Sequence, residues 1–304
     1  MIRRSLIKKP PFEKRWTKAG RRGAGWMAML VLCTAAAPAR AETPDTLRLQ
    51  GALSQGGLVI GHVEAGTRVQ LDGKAVRVTP QGVFAIGFDR DAKPQAVLTE
   101  IAADGGRREH RLDIARREYD IQRVTGVPQQ TVEPPPEQLQ RILAEQKQVE
   151  HARATDSDRL DFSGQFQWPL LGRISGVYGS QRVYNGKPGR PHFGVDVAAA
   201  VGTPVRAPAD ATITLASPDM FFSGGTLIMD HGYGVSSTFM HLSRLLVQPG
   251  QQVKAGQVVA EVGATGRATG PHLDWRINWF GVRLDPQLVA PAMPAAPAST
   301  AQSQ

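Results

Sequence analysis

Between residues 46 and 120, apolar residues recur in short alternating or branched runs: Leu47–Leu49, Leu58–Ile60, Thr67–Leu71, Val76–Val78, Val83–Phe88 and Ala96–Ile101. Period-two alternation sends successive side chains to opposite faces, so these runs predict half-buried strands. Turn formers separate them: Gly56-Gly57, Asp72-Gly73, Pro80-Gln81-Gly82 and Asp104-Gly105-Gly106. Asp72-Gly73 between two alternating strands is the signature of a two-residue hairpin. The pattern predicts a small β-sandwich-like domain over 42–125, a spacer or binding module, in which His62 and His110 are isolated imidazoles.

Pattern and composition then change together. Pro134-Pro135-Pro136 precedes a stretch from Glu137 to Ala154 rich in Gln, Glu, Leu, Ala and Arg, which predicts a helix within a linker over 126–160. Its apolar stripe of Leu139, Ile142, Leu143 and Val149 is sparse, as expected of a helix lying along a domain surface. From 161 to 290 β-type runs return: Ile174–Val177, Thr203–Ala207, Ala211–Leu215, Thr226–Met229, Val235–Phe239, Gln257–Val262 and Leu273–Trp279. Helical periodicity is nearly absent there, which predicts a second β domain. Residues 291–304, mostly Ala, Pro, Ser and Gln, read as a disordered tail. The fold class expected is mainly β.

Charge changes the picture only once it is located. The net charge is +9, yet residues 1–41 hold ten Lys/Arg and one acid, Glu13. Without them the chain carries 26 basic and 26 acidic residues, so the basicity gives no support for nucleic-acid binding. A basic stretch to Arg22, an apolar run from Ala24 to Ala37 and Ala39-Arg40-Ala41 have the layout of a signal peptide, the rival being an N-terminal anchor. The run is short for a spanning helix. The expectation is an exported protein of the periplasm or cell envelope, with no membrane span in the mature chain. Cys33, the single cysteine, lies within this segment, so the mature chain has no disulfides to form.

The chemistry-bearing residues gather in the second β region. Three settings stand out: His192-Phe193-Gly194-Val195-Asp196, His241-Leu242-Ser243 and His272-Leu273-Asp274. On a strand, residues 272 and 274 face the same side. A catalytic zinc needs three N, O or S ligands and one open position. His192, Asp196 and Asp274 would supply the three, leaving His241 and His272 beside the open position to move a proton or stabilise an oxyanion. His231 reads as structural, and Arg267 and Arg276 as solvated surface.

These motifs resemble the lysostaphin/LytM-type zinc metallopeptidases, the peptidoglycan endopeptidase family, with its His-x-x-x-Asp, His-Leu-Ser-type and His-x-His segments. Gly176-Val177-Tyr178-Gly179, Gly202–Pro208, Asp230–Gly234, Val253–Gln257 and Gly263–Gly266 also fit, so the resemblance spans about 165–288. It implies a small antiparallel β domain with an active-site groove, a single Zn²⁺ held by His192, Asp196 and Asp274, and active-site roles for His241 and His272. It also implies metal-dependent hydrolysis of peptide stems or cross-links in peptidoglycan. One position departs: the family's third ligand is a histidine, where this chain has Asp274. Two carboxylates would weaken the metal as a Lewis acid and favour harder ions. An alternative follows from that departure, a catalytically weak or inactive LytM-like factor that activates cell-wall amidases, with cell-division or amidase partners.

Overall fold

A computed structural model describes residues 47–124 and 136–294. The expected signal segment, the first part of the linker and residues 295–304 lie outside the described residues.

The first region is built from β1 (Arg48–Gly51), β2 (Leu58–His62), β3 (Arg68–Leu71), β4 (Lys74–Val76), β5 (Val83–Gly87), β6 (Gln95–Ile101) and β7 (Arg107–Asp113). They make two antiparallel sheets, ordered β1-β2-β5 and β4-β3-β6-β7. Val59, Val69, Phe84, Ile86, Leu98 and Leu112 form their shared core. Each contributes about 1.5–3 kcal/mol by leaving water, before the entropy of ordering is subtracted. The turn between β3 and β4 has Asp72 and Gly73 both at positive φ (49° and 77°), as a type I′ hairpin requires. His110 is not isolated: its Nε2 contacts Glu100 Oε1 on the neighbouring strand β6.

β8 (Ile121–Val124) then leaves this module and pairs parallel with β10 (Gln181–Tyr184), which also pairs with β11 (Lys187–Pro188). Helix α1 runs from Leu139 to Arg153, with Ile142 and Ala152 buried and Leu139 and Leu143 exposed.

The second region adds β9 (Arg173–Gly176), β12 (Val195–Ala198), β13 (Pro204–Arg206), β14 (Ala211–Met220), β15 (Gly224–Gly232), β16 (Val235–Leu245), β17 (Gln252–Val253), β18 (Val258–Val262), β19 (His272–Trp279) and β20 (Val282–Leu284). Their sheet runs β17-β14-β15-β16-β19-β12-β9. β18 pairs with β16 and β13, and β20 with β19. β15 is buried throughout and β16 over most of its length. One face buries Val195, Val197, Leu227, Phe239, Leu273, Trp275 and Ile277. The alternate residues of β12 and β19 face the other way and build the site.

The mainly β expectation holds, with α1 the one α-helix among the described residues. The described residues belong to one compact unit: Trp279 packs against both cores, and Arg117 pairs with the fully buried Asp285 at 2.8 Å. The tail expectation is corrected at its start. Trp168 Nε1 donates to the Pro291 carbonyl at 2.7 Å and Met293 packs against the core. No described helix is long and apolar enough to cross a membrane.

Candidate metal and active site

Strand register brings the distant acids together. β12 and β19 pair antiparallel with Asp196 directly opposite Asp274 and Ala198 opposite His272. Two carboxylates facing each other on neighbouring strands repel unless a cation lies between them. The loop before β12 supplies one: His192 Nε2 lies 3.1 Å from Asp196 Oδ1 and 3.3 Å from Asp274 Oδ2. One ligand-type atom from each of the three residues lies within 4.8 Å of the others.

Space for these acids comes from glycine. A Cβ on Gly176 would stand 2.2 Å from Asp196 Oδ2, and one on Gly194 would stand 2.5 Å from Asp274 Oδ1. Both distances are shorter than any real carbon–oxygen contact, so the two glycines are required by close approach.

The other two histidines reach the site differently. His272 opens β19 on the same face as Asp274, its Nε2 3.8 Å from Asp196 Oδ1. His241 sits inside β16 at φ 64°, a left-handed conformation uncommon for a non-glycine residue. A register shift there, with Phe239 opposite Leu227 but Leu242 opposite Gly225, inserts one extra residue into β16. Met240 and His241 therefore both line the cleft, while Phe239 and Leu242 stay in the core. The His241 and His272 rings pack with centroids 4.8 Å apart.

A common anchor orients the three imidazoles. Each places Nδ1 against a backbone carbonyl: His192 on Val177 at 3.2 Å, His241 on Thr265 at 2.9 Å and His272 on Gly270 at 2.8 Å. The carbonyl can only accept, so Nδ1 carries the proton and Nε2 points into the cleft. His231 differs: both its ring nitrogens are taken, Nδ1 by the Asp210 carbonyl and Nε2 by Ser237, and it is fully buried. It does not reach the site.

Electrostatics follow from the same contacts. Burial opposes charge on His192, but its bonds to Asp196 and Asp274 outweigh this and push the imidazole up to about 10. Burial holds His241 below its ordinary value, so it is neutral at neutral pH. Burial would raise Asp274, but Arg276 and His192 hold it well below the usual carboxylate range.

Arg276 is the residue sequence reasoning misread. It is not solvated surface. Two positions along β19 from Asp274, it shares that residue's face, and its Nε and Nη2 contact Asp274 at 2.9, 3.2 and 2.6 Å. The available signal was the spacing: in a strand, residues 272, 274 and 276 necessarily line one face. Arg267 is exposed at the cleft.

A divalent ion fits this donor set. Asp196 Oδ1 is buried without a well-aligned hydrogen bond, and the two acids confront each other across the sheet. A metal would replace the proton that His192 Nε2 now holds between Asp196 Oδ1 and Asp274 Oδ2. The surrounding cleft has a volume of about 990 Å³. Its walls include Met220, Phe222 and Thr238 of the sheet region, and Glu145, Val149 and Arg153 of α1.

Residues 190–286, which include all five residues of the site, match peptidase family M23. Over 100 residues the chain is 41% identical to a Haemophilus influenzae protein described as an uncharacterised metalloprotease. It is 36% identical, also over 100 residues, to the peptidoglycan DD-endopeptidase ShyC of Vibrio cholerae. Each alignment takes in 33% of this chain but only 21% and 23% of those relatives, so the chain spans about a fifth of their length. The likeness extends well beyond the site in the crystal structure of a Pseudomonas aeruginosa protein described as a peptidase M23. That structure is 33% identical at a TM-score of 0.61, covering 78% of this chain and 94% of the other. Covering most of this chain, and not the site alone, this similarity makes the chain a member of peptidase family M23.

Proposed function

We propose that this chain is an exported, metal-dependent endopeptidase that hydrolyses peptide bonds of peptidoglycan. His192, Asp196 and Asp274 hold one Zn²⁺, and His241 and His272 are the catalytic residues. The observation that carries the reading is the convergence of one nitrogen and two carboxylate oxygens within 4.8 Å beside two imidazoles whose Nε2 atoms face the same cleft. The M23 relative named as a peptidoglycan DD-endopeptidase supports the substrate class.

A bound divalent ion supplies Lewis-acid polarisation of an amide carbonyl and a more acidic water. The protein's own groups do the rest. His241, kept neutral by burial, has Nδ1 tied to Thr265, so Nε2 is the free lone pair that takes a proton from the attacking water. His272, its ring packed against His241 and its Nδ1 donating to the Gly270 carbonyl, offers Nε2 as the acceptor that orients the attacking water beside His241. Arg276 keeps Asp274 ionised and fixes its orientation. The first β region and α1 hold the catalytic region and wall its groove.

The test is digestion of purified sacculi by the mature chain with and without chelator, paired with metal analysis. Release of peptides that stops with chelator and in His192→Ala supports the enzyme. A second reading, an amidase-activating factor without its own chemistry, draws on one observation: Arg276 already gives Asp274 a counter-charge. Absence of bound metal in a folded protein that releases nothing from sacculi would favour it.

A further inference from the structure

The cleft beside the metal ligands collects positive charge that the hydrolytic step does not use. Arg153 arrives from the last turn of α1, Arg283 from β20 and Arg190 from the loop before His192. All three line the cleft with Arg276. The Arg276 charge is matched by Asp274. The others are not matched: among the described residues, neither Arg153 nor Arg283 forms an ion pair. Arg153 donates from Nη2 to Thr238 Oγ1 at 3.1 Å, while its Nε is buried without any hydrogen-bond partner.

Clustered, half-buried guanidiniums destabilise one another. Burial, together with Arg276 and Arg190, brings Arg283 down to about 10. Burial and the neighbouring Arg283, Arg276 and Arg190 hold Arg153 well below its usual value. Acids are close by but committed or distant. Glu145 accepts from Arg141 and from the Phe221 amide, and Glu150 is exposed and outside ion-pair distance of Arg283. A buried donor left without a partner is costly, more so when charged, and an anion entering the cleft would remove that cost.

We propose that Arg153 and Arg283 form an anion subsite beside His192, Asp196 and Asp274 that takes a free carboxylate of a peptide, so that the substrate is an acidic peptide. A carboxylate suits the place: it is planar, accepts two parallel N–H bonds from one guanidinium, and is common in peptides. This deepens the peptidase reading and rests on it for the word substrate; the subsite itself does not need catalysis. It also assigns α1 a part in recognition, since half of the subsite comes from the helix.

The test uses the full chain in chelator, so that binding is read without turnover. Calorimetry compares acetyl-Ala-Glu-Ala-amide with acetyl-Ala-Gln-Ala-amide, which differ by one carboxylate. The Glu peptide is expected to bind about tenfold tighter or better, a preference that weakens with salt. That preference should collapse in Arg153→Met and Arg283→Met and persist in part in Arg153→Lys. Thermal unfolding and binding of the Gln peptide serve as controls that the variants are folded. Equal binding of both peptides, or an unchanged preference in both Met variants, overturns the subsite. Sacculus digestion separates the two readings. A charge preference without digestion keeps the subsite and removes the peptidase. Digestion that proceeds equally on sacculi with amidated carboxylates keeps the peptidase and removes the subsite.

Discussion

Arg276→Met asks whether the buried acid opposite Asp196 depends on its own strand neighbour. Asp274 is 2% exposed, and Arg276 gives it contacts at 2.6 and 2.9 Å through two different nitrogens. Methionine keeps the aliphatic stem and removes the charge. Removing one partner of a buried pair typically costs about 3–5 kcal/mol, because the remaining charge is left uncompensated. His192, 3.3 Å from Asp274 Oδ2, retains part of the compensation, which argues for the lower end, about 3 kcal/mol. At roughly 2–4 °C per kcal/mol for a chain of this size, the metal-free protein should melt about 6–12 °C lower. Differential scanning calorimetry in chelator measures this. Saturating zinc supplies a replacement counter-charge, so the gap between variant and wild type should narrow. Arg276→Lys, which keeps the charge but not the planar fork, should fall between the two. A drop below about 2 °C in chelator, or a gap that zinc does not change, would refute the view that Asp274 relies on Arg276.

Gly194→Ala places a methyl group 2.5 Å from Asp274 Oδ1 and 2.7 Å from the Trp275 carbonyl, and backbone cannot yield cheaply. The variant should lose about 1–3 kcal/mol in urea unfolding and bind zinc more weakly. In the metal-free protein His192 is protonated up to about pH 10, so a metal must displace that proton. Zinc affinity, read by chelator competition, should rise about tenfold per unit between pH 6 and 8, and a flat profile would contradict this. Burial pulls His231 down to about 4, below its unfolded value of about 6.5. Its contribution to stability is complete above about pH 6.5 and is lost as pH falls toward 4. The melting temperature of the wild type should therefore decline more steeply over that window than that of His231→Gln.

The sequence by itself determined what is local. Period-two runs marked most of the long strands, the Asp72-Gly73 hairpin follows from two residues that tolerate positive φ, and the composition of Glu137–Ala154 marked α1. The ordered His and Asp motifs identified the candidate ligands because their spacing within each motif is short. Several other features were decided only by tertiary structure. β12, which carries Asp196, is four residues long and owes its existence to β9 and β19 on either side. Strand β7, Arg-Arg-Glu-His-Arg-Leu-Asp, hides its alternation because its outward positions are charged and only Leu112 is buried. His241 enters the cleft through a bulge that breaks the alternation on which strand reading depends. Arg276 became an ion-pair partner, and Arg153 and Arg283 became cleft residues, because charge compensation depends on which chains meet in space. Pattern along one chain encodes which face a side chain takes. Register between chains, set by packing of the whole sheet, determines what that side chain faces.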